Sequence, residues 1–130
     1  MIRALTFALL CLGGAAAAQT RNDAFAPAPG SEGASGRGAV LRGLDKVNGH
    51  TADVEIMTGQ TAEIFGLDVA LGDCRYPADN PTGDAFAYLT IWEHGANDWV
   101  FDGWMVASSP ALSALDHRRY DVWVLHCITS

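Results

Sequence analysis

A chain of 130 residues makes one domain at most, and 49% apolar content with four tryptophans excludes wholesale disorder. Fifteen acidic against eight basic residues give a net charge of −7, the wrong sign for a nucleic-acid binder.

Residues 1–18 read as a secretory signal peptide. Met1-Ile2-Arg3 gives a positive start, Ala4 to Leu12 is an uncharged apolar run, and the alanines at 15–18 offer an A-x-A site with cleavage before Gln19. The run is too short to cross a bilayer, and no other stretch approaches the roughly 20 apolar residues that a spanning helix requires. The expectation is therefore a periplasmic or secreted protein with no membrane span. Leu10 is too bulky to precede a lipidated cysteine, so Cys11 leaves with the leader. The mature chain keeps seven basic and fifteen acidic residues, a charge of −8, and two cysteines, Cys74 and Cys127. In an oxidising compartment two cysteines most simply pair; the alternative, a reactive or metal-binding thiol pair, lacks the close C-x-x-C spacing. Such a bond would remove roughly 4 kcal/mol of unfolded-state freedom.

Residues 19–38, with four glycines, two prolines and one large apolar side chain, Phe25, read as a flexible tether. A folded domain is expected over 39–130. Val40, Leu41 and Leu44 start an apolar run that ends in the turn Asn48-Gly49. Ala52, Val54 and Ile56 then alternate with polar residues as a half-buried strand does, and Leu67, Val69 and Leu71 repeat the pattern. Cys74 falls out of phase with Leu71, which predicts a bulge at Gly72-Asp73. Residues 77–84 form a loop by composition. Residues 85–92 are apolar on both faces, predicting a central strand covered on two sides. The segment 94–98 turns the chain into a strand over 99–107. Ser108-Ser109-Pro110, followed by Leu112 and Leu115, predicts a short helix whose leucines face the core. Its outward residues would be Ser113, Asp116, His117, Arg118 and Arg119. A near-continuous apolar strand over 121–128 closes the chain. The sum is all-β: a small β-sandwich or barrel of about seven strands with one short helical crossover and one disulfide.

The segments GAVLRGLDKV (38–47), CRYP (74–77), GWMVASSPALSAL (103–115) and YDVWVLHC (120–127) resemble a family of small secreted alphaproteobacterial proteins catalogued as domain of unknown function 2155. The resemblance spans nearly the whole expected domain. It departs at Val106, where the family is more often aromatic, and at Arg118, often proline there. It implies a secreted or periplasmic protein with Cys74 and Cys127 paired, and it assigns no catalytic residue.

Four histidines invite a metal, yet His50, His94 and His117 fall in turns or helix ends without the i, i+2 or i, i+4 spacing of common zinc pairs. His126 alternates with Val122 and Val124, as a packed or edge-strand residue does. The loop 79–84 has alternating oxygen-bearing side chains but no distal glutamate, and a turn explains it. A hydrolase would recruit Ser108 or Ser109 with His117 as base and Asp116 or Asp121 behind it, but no G-x-S-x-G elbow is present. No catalytic residue, metal or cofactor is assigned. Trp99, beside a turn, and Trp104 are the best candidates for exposed aromatic platforms, with Asp98 and Asp102 as nearby acceptors. Arg118 and Arg119, beside His117, form a local reversal of charge able to orient an anionic partner. The leading reading is a non-enzymatic binding or accessory domain, acting on an envelope protein. A carbohydrate or peptidoglycan-binding module is the alternative, and a small hydrolase comes third.

Overall fold

The computed structural model of the protein describes residues 33–129; the expected signal peptide and residues 19–32 of the expected tether lie outside the described residues. The strands in chain order are β1 (Gly33–Ser35), β2 (Gly38–Asp45), β3 (Thr51–Met57), β4 (Thr61–Ile64), β5 (Leu67–Pro77), β6 (Phe86–Glu93), β7 (Trp99–Val106) and β8 (Tyr120–Ile128).

All pairings are antiparallel. One sheet runs β1-β5-β6-β7, with β4 also on β5, and the other runs β3-β2-β8. The eleven residues of β5 give room for two short neighbours on one edge: β4 pairs its start, Ile64 opposite Leu67, and β1 its end, Gly33 opposite Pro77. The predicted bulge is present, since the β5–β6 register shifts between Leu71 and Asp73.

Two crossings tie the sheets together through backbone hydrogen bonds. Gly36 N donates to Cys74 O (2.7 Å) and Arg37 N to Ile128 O (2.8 Å), so the chain leaves one sheet as it enters the other. At the end of β3, Thr58 N donates to Arg37 O (2.9 Å) and Gly59 N to Leu71 O (2.8 Å). Leu41, Ile56, Val122 and Val124 of one inner face meet Leu67, Leu71, Leu89, Ile91 and Met105 of the other in one buried cluster. Each such side chain contributes about 1.5–3 kcal/mol when fully buried. Gly43 permits a close approach of the two sheets, because a Cβ there would stand 2.4 Å from Ile64 Cγ2. Cys74 and Cys127 are bonded across the sheets with Cα atoms 5.7 Å apart, inside the span a disulfide tolerates.

Three expectations are corrected. Residues 33–38, placed in the tether, form β1, the crossing and the start of β2, which is why the strands number eight rather than seven. The strand over 85–92 lies inside its sheet but is covered on one face only: Ala87, Leu89 and Ile91 are buried, whereas Phe86, Tyr88 and Trp92 are half-exposed. The short helix does not form, and no helix occurs among the described residues. Two successive turns, Ser109 N to Val106 O (3.2 Å) and Leu112 N to Ser109 O (3.0 Å), replace it. A helix of two turns hardly repays its nucleation cost. Here side chains also compete for the backbone at both ends, through Asp84 at Ser108 and His117 at Arg119 and Tyr120. Without helical periodicity Leu115 stays buried while Leu112 turns out to 60% exposure.

Candidate functional site

The crossover of residues 107–119 joins β7 to β8 and carries His117, Arg118 and Arg119 of the predicted binding surface. Its start is tied down by Asp84, whose carboxylate accepts from Ser108 Oγ (2.6 Å), Ser108 N (3.0 Å) and Ala85 N (2.9 Å). The loop expected to be a turn is one: Asn80 N reaches Pro77 O and Gly83 N reaches Asn80 O, both at 2.9 Å. Ser108 therefore has a carboxylate partner rather than an imidazole.

At the other end His117 points inward, against expectation, with its side chain only 9% exposed. Its Nδ1 accepts from Arg119 N (3.0 Å) and Tyr120 N (3.1 Å), which puts the ring proton on Nε2, donated to Glu93 Oε1 at 2.7 Å. The ring also stacks on Tyr120, centroids 5.3 Å apart. Both nitrogens are thereby engaged in holding the segment, which leaves no lone pair for a serine hydroxyl. Arg119 lies over the Tyr120 ring and bonds Asp45, 4% exposed, at 3.1 Å. That carboxylate also accepts from Val47 N (3.0 Å), and the Arg119 hydrogen bond, foremost among these contacts, holds it below the ordinary aspartate range. Lys46 Nζ donates to His117 O. Of the expected basic pair only Arg118 is exposed without a hydrogen bond or ion pair to the described residues. Beside this segment, Pro110, Ala111, Ala114, Asp121, Val122 and Trp123 line a shallow groove of about 260 Å³.

The other predicted residues lie on the outer face of the five-stranded sheet, where cross-strand partners form rows because opposed residues share a face. Asp73, Tyr88 and Trp104 make one row; Ala70, Thr90 and Asp102 make the next. Beyond these come Asp68, Trp92 and Trp99, with Glu63 of β4 opposite Asp68. Trp99 is 59% exposed and Trp104 42%. Tyr88 meets Trp104 edge to face at 5.3 Å. Asp102 Oδ1 accepts from Tyr88 Oη (3.0 Å) and Thr90 Oγ1 (2.8 Å), and this bond raises the Tyr88 pKa above the usual phenol value. Asp102 Oδ2 takes no hydrogen bond from the described residues, so a carboxylate oxygen held in fixed orientation lies in the row between those of the two indoles. Asp98 is exposed in the turn before Trp99.

The histidine spacing left out one grouping. His94, in the turn after β6, brings Nδ1 within 3.1 and 3.2 Å of the two Asp68 oxygens, and Glu63 lies beside them. The Asp68 hydrogen bond first, then the charges of Asp68 and Glu63, raise the His94 pKa above its ordinary value. These residues come from three elements, so no local spacing announces them. His50 and His126 are exposed elsewhere, and His126 faces outward on the edge strand β8.

No helix among the described residues is long and apolar enough to cross a membrane. Among curated proteins the chain is 25% identical over 87 residues to the uncharacterized protein RP359 of Rickettsia prowazekii (strain Madrid E), covering 65% of this chain. It spans 56% of that relative's length. No solved structure matches at a significant level. Residues 39–127 match the family described as an uncharacterized protein conserved in bacteria, DUF2155, from the second residue of β2 to the disulfide cysteine of β8. With the core of both sheets, the crossover and the aromatic face all inside that match, the chain belongs to the DUF2155 family.

Proposed function

We propose that this protein is a non-enzymatic binding domain of the periplasm or the secreted fraction, a two-layer β-sandwich whose partner is an envelope protein. The contact surface in this reading is the outer face of β6 and β7. The observation that carries it is the pair of exposed tryptophans, Trp99 and Trp104, in the two rows that flank the row of Asp102. Exposed indoles on one sheet face, on either side of a preorientated acceptor, are the composition of an interface centre rather than of a solvated surface. The compartment follows from the leader over 1–18 and agrees with a disulfide, which persists in oxidising surroundings.

The test is a photo-crosslinking amino acid placed in cells at Trp99, at Trp104 or at Arg118. Adducts to one envelope protein from the two tryptophan positions and not from Arg118 support the reading. Adducts from Arg118 alone move the surface to the crossover and defeat it. In the same cells the periplasmic protein should begin at Gln19 by mass spectrometry. A second reading is favoured by the Tyr88–Trp104 edge and the open Asp102 oxygen, since sugars stack on indoles and donate hydroxyls to carboxylates. Titration with soluble peptidoglycan fragments would then quench tryptophan fluorescence, and the Trp104→Ala variant would not respond.

A further inference from the structure

We propose that Glu63, Asp68 and His94 form a binding site for a divalent transition-metal ion of the zinc type. The inference does not rest on the outer face being a partner surface.

The site begins with the β4–β5 hairpin. Ile64 pairs with Leu67, so the loop has only two residues, Phe65 and Gly66, and Phe65 adopts φ 52° to close it. Such a backbone is uncommon for a bulky residue, and it is held here by stacking of Phe65 on Tyr120, rings 1° from parallel. The tight loop fixes the register, and the register sets Glu63 directly opposite Asp68 on one face. Two carboxylates in that relation repel each other, and a cation between them relieves that repulsion.

His94 supplies the element that makes the cation specific. Its backbone is pinned by His94 N to Gly66 O at 2.9 Å, which brings the imidazole over the hairpin. One donor atom from each of the three residues lies within 4.8 Å of the others. Zinc takes nitrogen and oxygen ligands at about 2.0–2.2 Å, and at a tetrahedral angle their mutual distance is about 3.3 Å. The 3.1 Å between His94 Nδ1 and Asp68 Oδ1 is already near that span. Glu63 is exposed and closes the remainder by rotation of its own side chain. Three protein ligands leave a fourth position open, as the three-ligand zinc sites do, and the imidazole favours zinc, cobalt or nickel over calcium and magnesium.

The experiment is calorimetric titration of the purified chain, free of any histidine tag, with Zn2+, with Co2+ absorption and His ring NMR signals as second readouts. The expected result is one Zn2+ per chain with the His94 ring signals shifted. His94→Gln and Asp68→Asn should each weaken binding at least tenfold, while His126→Gln binds as wild type does and excess Ca2+ does not compete. All three substituted side chains are at least partly exposed, and circular dichroism verifies that each variant folds. Absence of saturable Zn2+ binding identifies the cluster as a histidine–aspartate ion pair only and overturns the proposal. Undiminished binding by His94→Gln overturns it equally.

Discussion

The crossover of residues 107–119 and the β6–β7 hairpin look alike in sequence: each offers a short run of side chains suited to a partner. In the fold they diverge. The crossover's His117 and Arg119 turn to Glu93, Asp45 and Tyr120 and serve as the joint that attaches a helix-free segment to β2 and β6. The hairpin's Trp99 and Trp104 pair with Trp92 and Tyr88 and so share the outer face, opposite the one on which Ala87, Leu89 and Ile91 are buried. The difference teaches that a charge near a loop finds its counter-charge within the molecule when a buried carboxylate is within reach. A large aromatic on the outer face of a filled sheet has no such outlet.

The largest effect should come from cutting the crossover's distal support. Cys127 holds the strand that follows the crossover against β5, across a sequence separation of 53. Replacing both cysteines by serine should lower unfolding stability by about 4 kcal/mol on the chain-entropy relation, measured by urea titration. A loss below about 1 kcal/mol would show that β8 is held by its ladder to β2 alone.

Next in size are the two arginines, which separate joint from surface. Arg119→Ser leaves Asp45 buried without its cation and should lower Tm by several degrees, whereas Arg118→Ser should leave Tm within a degree or so. Equal effects would break the comparison. Acid offers an independent test of the same pair. The folded-state pKa of Asp45 is depressed, so its stabilisation is complete above the unfolded aspartate value of about 3.9 and is lost as pH falls through the lower, folded value. The gap in Tm between wild type and Asp45→Asn should therefore be widest above that range and close towards strong acid. A gap that persists there would assign the cost to packing rather than charge.

What the sequence made legible is the part of the fold governed by local apolar pattern, in alternation or in runs. Strands β3 and β5 and the bulge at Gly72-Asp73 follow from alternation and its phase break, β2 and β8 from apolar runs, and the Cys74–Cys127 pair from expected compartment and count. Less visible was anything that depends on a distant partner. β1 is three residues of small side chains whose strand character comes wholly from pairing with Arg75, Tyr76 and Pro77. The two leucines at helical spacing after Pro110 were outweighed by Asp84 and His117, contacts made across 24 residues and at the segment's own end. For the candidate site, exposure of Trp99 and Trp104 was readable from a turn and a glycine. Asp102's bonds to Tyr88 and Thr90, and the grouping of Glu63 with Asp68 and His94, required the registers of β4 to β7.

The smallest effect on stability belongs to the residue on which the proposed function leans most. Trp99 is 59% exposed and sits where the β6–β7 register slips between Ile91 and Trp92, so little of its ring is packed. Trp99→Ser should change stability by no more than about 0.5 kcal/mol, as surface substitutions do. Trp104→Ser should cost more, because it also gives up the edge contact with Tyr88, worth about 0.5–1.5 kcal/mol. Acrylamide quenching supplies the matching optical test: the accessible share of tryptophan fluorescence should fall most on losing Trp99 and next on losing Trp104. If Trp99→Ser instead unfolds the domain or leaves the quenching unchanged, the indole is packed in solution. The hairpin would then be a joint like the crossover, and the crosslinks expected from it would have no surface to report.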